Sequence, residues 1–355
     1  MLYGLKAVKD HPCFKMQDLL GNFFFDYVSD KGFSDNVFPS IFSQKYIDGH
    51  GRAFKETLTD LAQRLPTQKA KKQKLYSQFM NNNSIEALCL EKGFIPESHI
   101  RWSDVTGIEL NEFLLNCYGT KLDLSPFKRL GCKLKPTHRF YRDFISINGC
   151  ICPFCGLSSY RNVFGPRRED LDHYLYKGKY PFAAANMWNL IPTCSECNQD
   201  YKKTTDVLYN GNVRTEAYYP YGKVGGISIK VKLKIGSNNK MPGSWDIHIS
   251  PKNSTELEKV ENWVRVYGIR LRYQNEIAFD HDNWIMTDLE ERREAFANPN
   301  DFRRFMISRA RVHKNLFDKK LAPKSFLKIA FFVFVARHAD DAFIGKYMIP
   351  FNAGL

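Results

Sequence analysis

The sequence predicts an α+β chain, mainly helical, with a small mixed centre and a β-hairpin directly after it. Three observations carry this expectation. Apolar residues recur at helical spacing on both sides of the centre, two Cys-x-x-Cys pairs bracket a 38-residue insert, and a run of strict period-two alternation follows the second pair.

In the N-terminal third, Phe54, Leu58, Leu61 and Leu65 recur at helical spacing until Pro66 ends the run. Lys69, Lys71, Lys72 and Lys74 read as a solvated helix end, with contact to a phosphate backbone as the rival reading. Asn81, Asn82 and Asn83 make a break, and Ser84 is placed to cap a helix from Ile85 with Glu86 in its first turn. Lys121 to Thr137 is loop-like, punctuated by Pro126 and Pro136. These signals give a helical recognition or partner region over 1–137, a cysteine-rich module over 138–210, and a hairpin with further helices over 211–355.

After the module, Ile227, Ile229, Val231, Leu233 and Ile235 alternate with Ser228, Lys230, Lys232 and Lys234, the pattern of a half-buried strand. Gly236 to Gly243 reads as the turn, and Trp245, Ile247 and Ile249 as the returning strand. Asn253 with Glu256, or Thr255 with Glu258, offers a capping box. Leu257, Val260, Val264, Tyr267 and Leu271 then form one apolar stripe, and further helices are expected over Asp301–Phe317 and Lys324–His338.

The bulk composition bounds the class. In 355 residues, 43% hydrophobic and 25% charged content is ordinary for a globular protein. Fifty-two Lys and Arg against 38 Asp and Glu leave a net +14, which favours an anionic partner, nucleic acid first. The N-terminus lacks the apolar core of a signal peptide. The most apolar run, Phe326 to Ala336, is interrupted by Lys328 and is shorter than the roughly 20 residues that span a bilayer. Nine cysteines without an export signal suggest a reducing, cytoplasmic setting, where paired cysteines serve as metal ligands.

The chemistry concentrates in the module. Cys152-Pro-Phe-Cys155 and Cys194-Ser-Glu-Cys197 offer four thiolates to one tetrahedral ion, a closed zinc site with no position left for water. Cys150 is a rival ligand, although Cys152 keeps the Cys-x-x-Cys spacing. Between and beside the pairs stand Asp172-His173, Asn189-Leu190 and Cys197-Asn198. In this order they resemble the HNH endonuclease family over about 60 of the 355 residues. The resemblance implies a ββα-metal fold around one divalent ion. It casts His173 as general base, Asn189 as the brace of the loop orienting that His, Asp172 as the metal carboxylate and Asn198 as the third-position residue of an HNN variant. Two positions depart from the family pattern. Tyr176 stands where a Pro often lies, and Tyr201 where a Lys often lies, with Lys202 one residue further on.

The residues support the same chemistry directly. A histidine with an ordinary pKa near 6.5 is largely neutral at pH 7 and can take a proton from water. Asp172 and Asn198 supply oxygen ligands that leave positions open on Mg²⁺ or Mn²⁺ for water and phosphate. Asp170, two residues before Asp172, is the rival carboxylate. Neighbours on a regular strand face opposite sides, so Asp172 and His173 share a site only where the strand ends or twists.

Arg167, Arg168 and Lys202 are the candidate phosphate contacts. The row Lys230, Lys232, Lys234 and the helix bearing Arg303, Arg304, Arg309 and Arg311 read first as solvated faces. The expected function is metal-dependent cleavage of nucleic acid, DNA ahead of RNA, in restriction or anti-phage defence with a sensor or ATPase partner. The alternative is a zinc-stapled nucleic-acid-binding or scaffold subunit with a silent centre.

Overall fold

A computed structural model describes residues 1–96, 110–128, 132–161, 165, 167–234, 237, 239–290 and 296–348. It is mainly helical, with three two-stranded antiparallel sheets among those residues. The chain divides into two compact units: 4–148 with 161–223, and 1–3 with 149–160 and 224–355.

In the first of these units, α1 (Lys15–Val28) buries Met16, Leu19, Leu20, Phe23, Phe24 and Tyr27, one stripe at helical spacing. The short α2 (Gln44–Asp48) starts at Ser43, whose hydroxyl accepts the Tyr46 amide at 3.2 Å. In α3 (Arg52–Arg64) Phe54, Leu58 and Leu61 face inward as expected. The helix stops at Leu65, held extended before Pro66 by the proline ring.

The lysine cluster is part of α4 (Lys69–Asn83), and Lys72 is not a solvated end. Its ammonium pairs with Asp30 and lies 5.0 Å over the Tyr27 ring. Ser84 marks the start of α5 (Ile85–Leu90) without capping it, because its hydroxyl donates to the Met80 carbonyl at 3.0 Å. Next come α6 (Leu110–Gly119) and α7 (Pro136–Asn148). Between them, the described part of the expected loop forms two short 3₁₀ turns.

Phe24 of α1, Phe79 of α4 and Phe182 form an aromatic cluster with ring centroids 4.6–5.9 Å apart. This cluster fixes the insert against the helices. The insert itself holds β1 (Leu171–His173) and β2 (Leu190–Pro192), antiparallel, with Asp172 opposite Ile191 and His173 opposite Leu190. A π-helical segment, Glu196–Lys202, follows β2, and then come β3 (Tyr209–Asn210) and β4 (Val213–Arg214).

In the other unit, β5 (Ile227–Leu233) pairs with β6 (Trp245–Pro251) as the alternation predicts. Ile235 and Gly236 lie outside the described residues. Val231, Trp245, Ile247 and Ile249 are buried, while Lys230, Lys232 and Lys234 are exposed. The capping-box expectation holds only in its first half. Asn253 Oδ1 accepts the Thr255 amide at 3.2 Å, but Glu256 turns to the Gly225 amide at 3.3 Å.

The single apolar stripe also fails. α8 (Leu257–Val266) and α9 (Ile269–Glu290) are separate helices, broken at Gly268 with φ +58°. Leu257 and Leu271 are exposed, and the inner faces are Val260, Trp263 and Val266, then Ile269, Tyr273 and Ile277.

The basic helix is α10 (Pro299–Asp318). Three of its arginines are spent within the chain: Arg303 on Asp341, Arg304 on Asp301 and Arg309 on Asp288. α11 (Ser325–His338) carries the buried core of Phe326, Leu327, Phe331, Phe332, Phe334 and Val335, and α12 (Asp341–Met348) completes the unit. Among the described residues no helix is long and apolar enough to cross a membrane.

Candidate metal centre and active site

The first cysteine pair sits in a tight turn. The Gly156 amide donates to the Cys152 carbonyl at 2.8 Å, and the Cys152 amide to the Ser158 carbonyl at 3.0 Å. Gly156 is at φ +67°, a conformation that glycine adopts without strain. A Cβ there would come within 2.3 Å of Leu2 and 2.5 Å of Phe326. The second pair opens the π-helical segment, where the Asn198 amide donates to the Cys194 carbonyl at 3.0 Å.

All four residues, Cys152, Cys155, Cys194 and Cys197, are buried, and their sulfurs lie within 4.8 Å of one another. Tetrahedral thiolates at about 2.3 Å from zinc stand about 3.8 Å apart, so the cluster could hold a structural zinc ion. Cys150 is exposed and stands outside the cluster, which settles its rivalry with Cys152.

The second centre is built on β1. His173 is only 6% exposed, and its Nε2 lies 3.0 Å from the Ala184 carbonyl. A carbonyl can only accept, so Nε2 carries the ring proton and Nδ1 keeps the lone pair a base needs. Burial is the main reason the imidazole is held at a pKa of about 3, with the positive charge of Lys177 adding to it. The ring is neutral throughout the physiological range. Tyr118 of α6 meets it edge-on at 4.3 Å and donates its hydroxyl to the Leu171 carbonyl at 3.2 Å.

Asn189 is fully buried. Its Oδ1 accepts the Leu175 amide at 2.7 Å, and its Nδ2 donates to the carbonyls of Leu175 at 3.0 Å and Ala183 at 3.2 Å. The Asn189 carbonyl accepts the Tyr174 amide at 2.9 Å. One residue thus ties the chain leaving β1 to the turn whose next carbonyl, Ala184, receives His173.

Asp172 is 4% exposed, and burial raises its pKa against the opposing pull of Lys202. Its Oδ1 accepts from Lys202 Nζ at 3.0 Å, whereas its buried Oδ2 has no hydrogen-bond partner among the described residues. The same ammonium donates to the His173 carbonyl at 2.7 Å. Lys202 is 0% exposed. Lys202, expected as a phosphate contact, is instead seen paired with Asp172.

Lys202 ends a π-helical segment. In the π-helical segment the Lys203 amide donates to the Asn198 carbonyl at 2.9 Å, a five-residue closure. Such a turn carries one residue more than an α turn. Asn198, half-buried, lies just under one turn before Lys202 and so on nearly the same face.

The remaining candidates separate clearly. Asp170 is exposed and accepts from Gln199 at 3.4 Å, apart from the buried pair of Asp172 and Lys202. Arg167 is exposed. Arg168 is half-buried and donates to the Glu169 carbonyl at 2.8 Å. Tyr118 and the Ala184 carbonyl escaped the sequence reading. Tyr118 stands 55 residues before His173, and a backbone acceptor leaves no mark in residue identity.

No family model matches the chain, and no solved structure matches it. Protein ea31 of Escherichia phage lambda is 32% identical to it over 87 residues, 24% of this chain. The match spans about a quarter (27%) of that protein's length.

Proposed function

We propose that this protein is a metal-dependent HNH endonuclease that hydrolyses phosphodiester bonds, in DNA before RNA. The observation that carries the reading is the state of the two β1 side chains. The His173 imidazole has Nε2 committed to a carbonyl, and beside it in the chain a buried carboxylate has one oxygen without a hydrogen bond among the described residues. In this reading Nδ1 of His173 takes the proton of the attacking water, and Asn189 keeps the imidazole aimed by holding the turn that carries Ala184.

A buried carboxylate oxygen without a donor suits a cation. Asp172 Oδ2, joined by Asn198 from the facing helix, would hold Mg²⁺ or Mn²⁺. Such an ion supplies charge neutralisation at the phosphate and at the leaving oxygen. Arg167 and Arg168, just before β1, are the phosphate contacts in this reading. The net charge of +14 favours a polyanionic substrate. Restriction or anti-phage defence, with a sensor or ATPase partner, is the biological setting proposed on the family resemblance alone.

A second reading is a zinc-stapled nucleic-acid-binding or scaffold protein with a silent centre. It draws on the enclosure of His173 and Asp172, 6% and 4% exposed. Nicking of supercoiled plasmid with Mg²⁺ or Mn²⁺, run beside His173→Ala, separates the two. Product from the parent and none from the variant is expected. Equal cleavage by both would remove His173 from the mechanism, and binding without cleavage by the parent would favour the silent centre.

A further inference from the structure

We infer that Lys202 is a positioning residue for Asp172, holding the carboxylate by Oδ1 so that a divalent cation meets only Oδ2. This rests on the nuclease reading. The ammonium is 0% exposed and lies 3.0 Å from Asp172 Oδ1 and 2.7 Å from the His173 carbonyl. It therefore grips β1 at two successive residues, one by side chain and one by backbone. Burying an ammonium is costly unless it is paired and hydrogen-bonded, and these two acceptors meet that demand.

The geometry assigns each oxygen a separate task. A freely rotating carboxylate can offer both oxygens to one cation. With Oδ1 occupied by Lys202 and Oδ2 without a donor, only single-oxygen ligation is open. The fixed positive charge also stands beside the cation site, so it weakens cation binding while leaving more of the ion's positions to water and phosphate. The π-helical turn is the device that delivers the lysine, since it sets Lys202 on nearly the face that carries Asn198.

The test measures Mn²⁺ binding to the zinc-loaded full chain by the electron paramagnetic resonance signal of free Mn²⁺. Parent, Asp172→Asn and Lys202→Met are compared, with plasmid nicking in parallel. Loss of one unit charge beside the ion is expected to tighten Mn²⁺ binding by about tenfold or more in Lys202→Met, while nicking falls by at least about tenfold as Asp172 loses its orientation. Asp172→Asn should lose the Mn²⁺ site. A residue that only supported the fold would leave Mn²⁺ affinity unchanged in a folded variant.

If the parent shows no Asp172-dependent Mn²⁺ binding, the nuclease reading itself fails. If that binding is present and Lys202→Met leaves its affinity unchanged, the role given to Lys202 is overturned. Should Lys202→Met not fold, the parent decides the matter through the side-chain ¹⁵N–¹H signal of the Lys202 ammonium. Persistence of a slowly exchanging signal under saturating Mg²⁺ supports co-occupancy of Asp172. Its loss would mean that the cation displaces the lysine, and the inference fails.

Discussion

Replacing Asn189 by Ala removes one side chain and strands two backbone groups, the amide and carbonyl of Leu175, while the Ala183 carbonyl keeps the Asn186 amide at 3.2 Å. Oδ1 serves the Leu175 amide, and Nδ2 serves the carbonyls of Leu175 and Ala183. Leu175, Ala183 and Asn189 are all 0% exposed, so water does not replace the lost partners without rearrangement. Each buried group left unsatisfied costs about 1–3 kcal/mol, so the two Leu175 groups together cost about 2–6 kcal/mol. Against a typical total of about 5–15 kcal/mol this is a large fraction. For a domain of roughly 150–250 residues each kcal/mol moves the melting temperature by about 2–4 °C, so a fall of about 4–24 °C is expected. Thermal unfolding followed by circular dichroism on zinc-loaded protein measures it. A shift under about 2 °C would refute the reasoning, because it would mean that the two Leu175 backbone groups find other partners at no expense.

Three further outcomes follow from the geometry. The purified parent should carry one zinc per chain by elemental analysis. Cys194→Ser, or chelation with a strong chelator, should remove it and lower the melting temperature, whereas Cys150→Ser should leave the zinc in place. His173 has a folded pKa of about 3 against an ordinary value near 6.5, so the unfolded chain binds the extra proton first. Its contribution to stability is then complete above about pH 6.5 and is lost as the pH falls toward 3. Unfolding of His173→Gln in the absence of Mg²⁺ should show a shallower loss of stability over that window than the parent, and parallel curves would contradict the burial argument. Gly156→Ala combines φ +67° with contacts of 2.3 Å to Leu2 and 2.5 Å to Phe326. It should destabilise by about 2 kcal/mol or more in urea unfolding, while Gly243→Ala, whose Cβ would meet nothing within 4 Å, should not.

Local pattern made several elements legible in advance. Phe54, Leu58 and Leu61 face inward on α3 because a helix turns 3.6 residues at a time, and β5 pairs with β6 because alternation faces a core on one side. Pro66 stopped α3 for the steric reason that any proline does. The spacing of the two Cys-x-x-Cys pairs predicts one cluster, and the four sulfurs converge. Elsewhere local signals had competitors. Ser84 had the identity of a cap, but its hydroxyl took the Met80 carbonyl. Leu257 to Leu271 had the periodicity of one stripe, but Gly268 adopts a positive φ and splits the helix.

By itself, then, the sequence determined the residue types at each centre, their order and their local periodicity, since these depend only on near neighbours in the chain. Tertiary structure alone decided what each group faces. It placed the Ala184 carbonyl on His173 and thereby fixed the tautomer, brought Tyr118 against the imidazole, and buried Lys202 on Asp172. It also wound 196–202 as a π-helix, which sets Lys202 on nearly the face of Asn198. Partner identity, burial and tautomer arise from contacts between residues 11 to 55 apart in sequence, and no window of local pattern contains them.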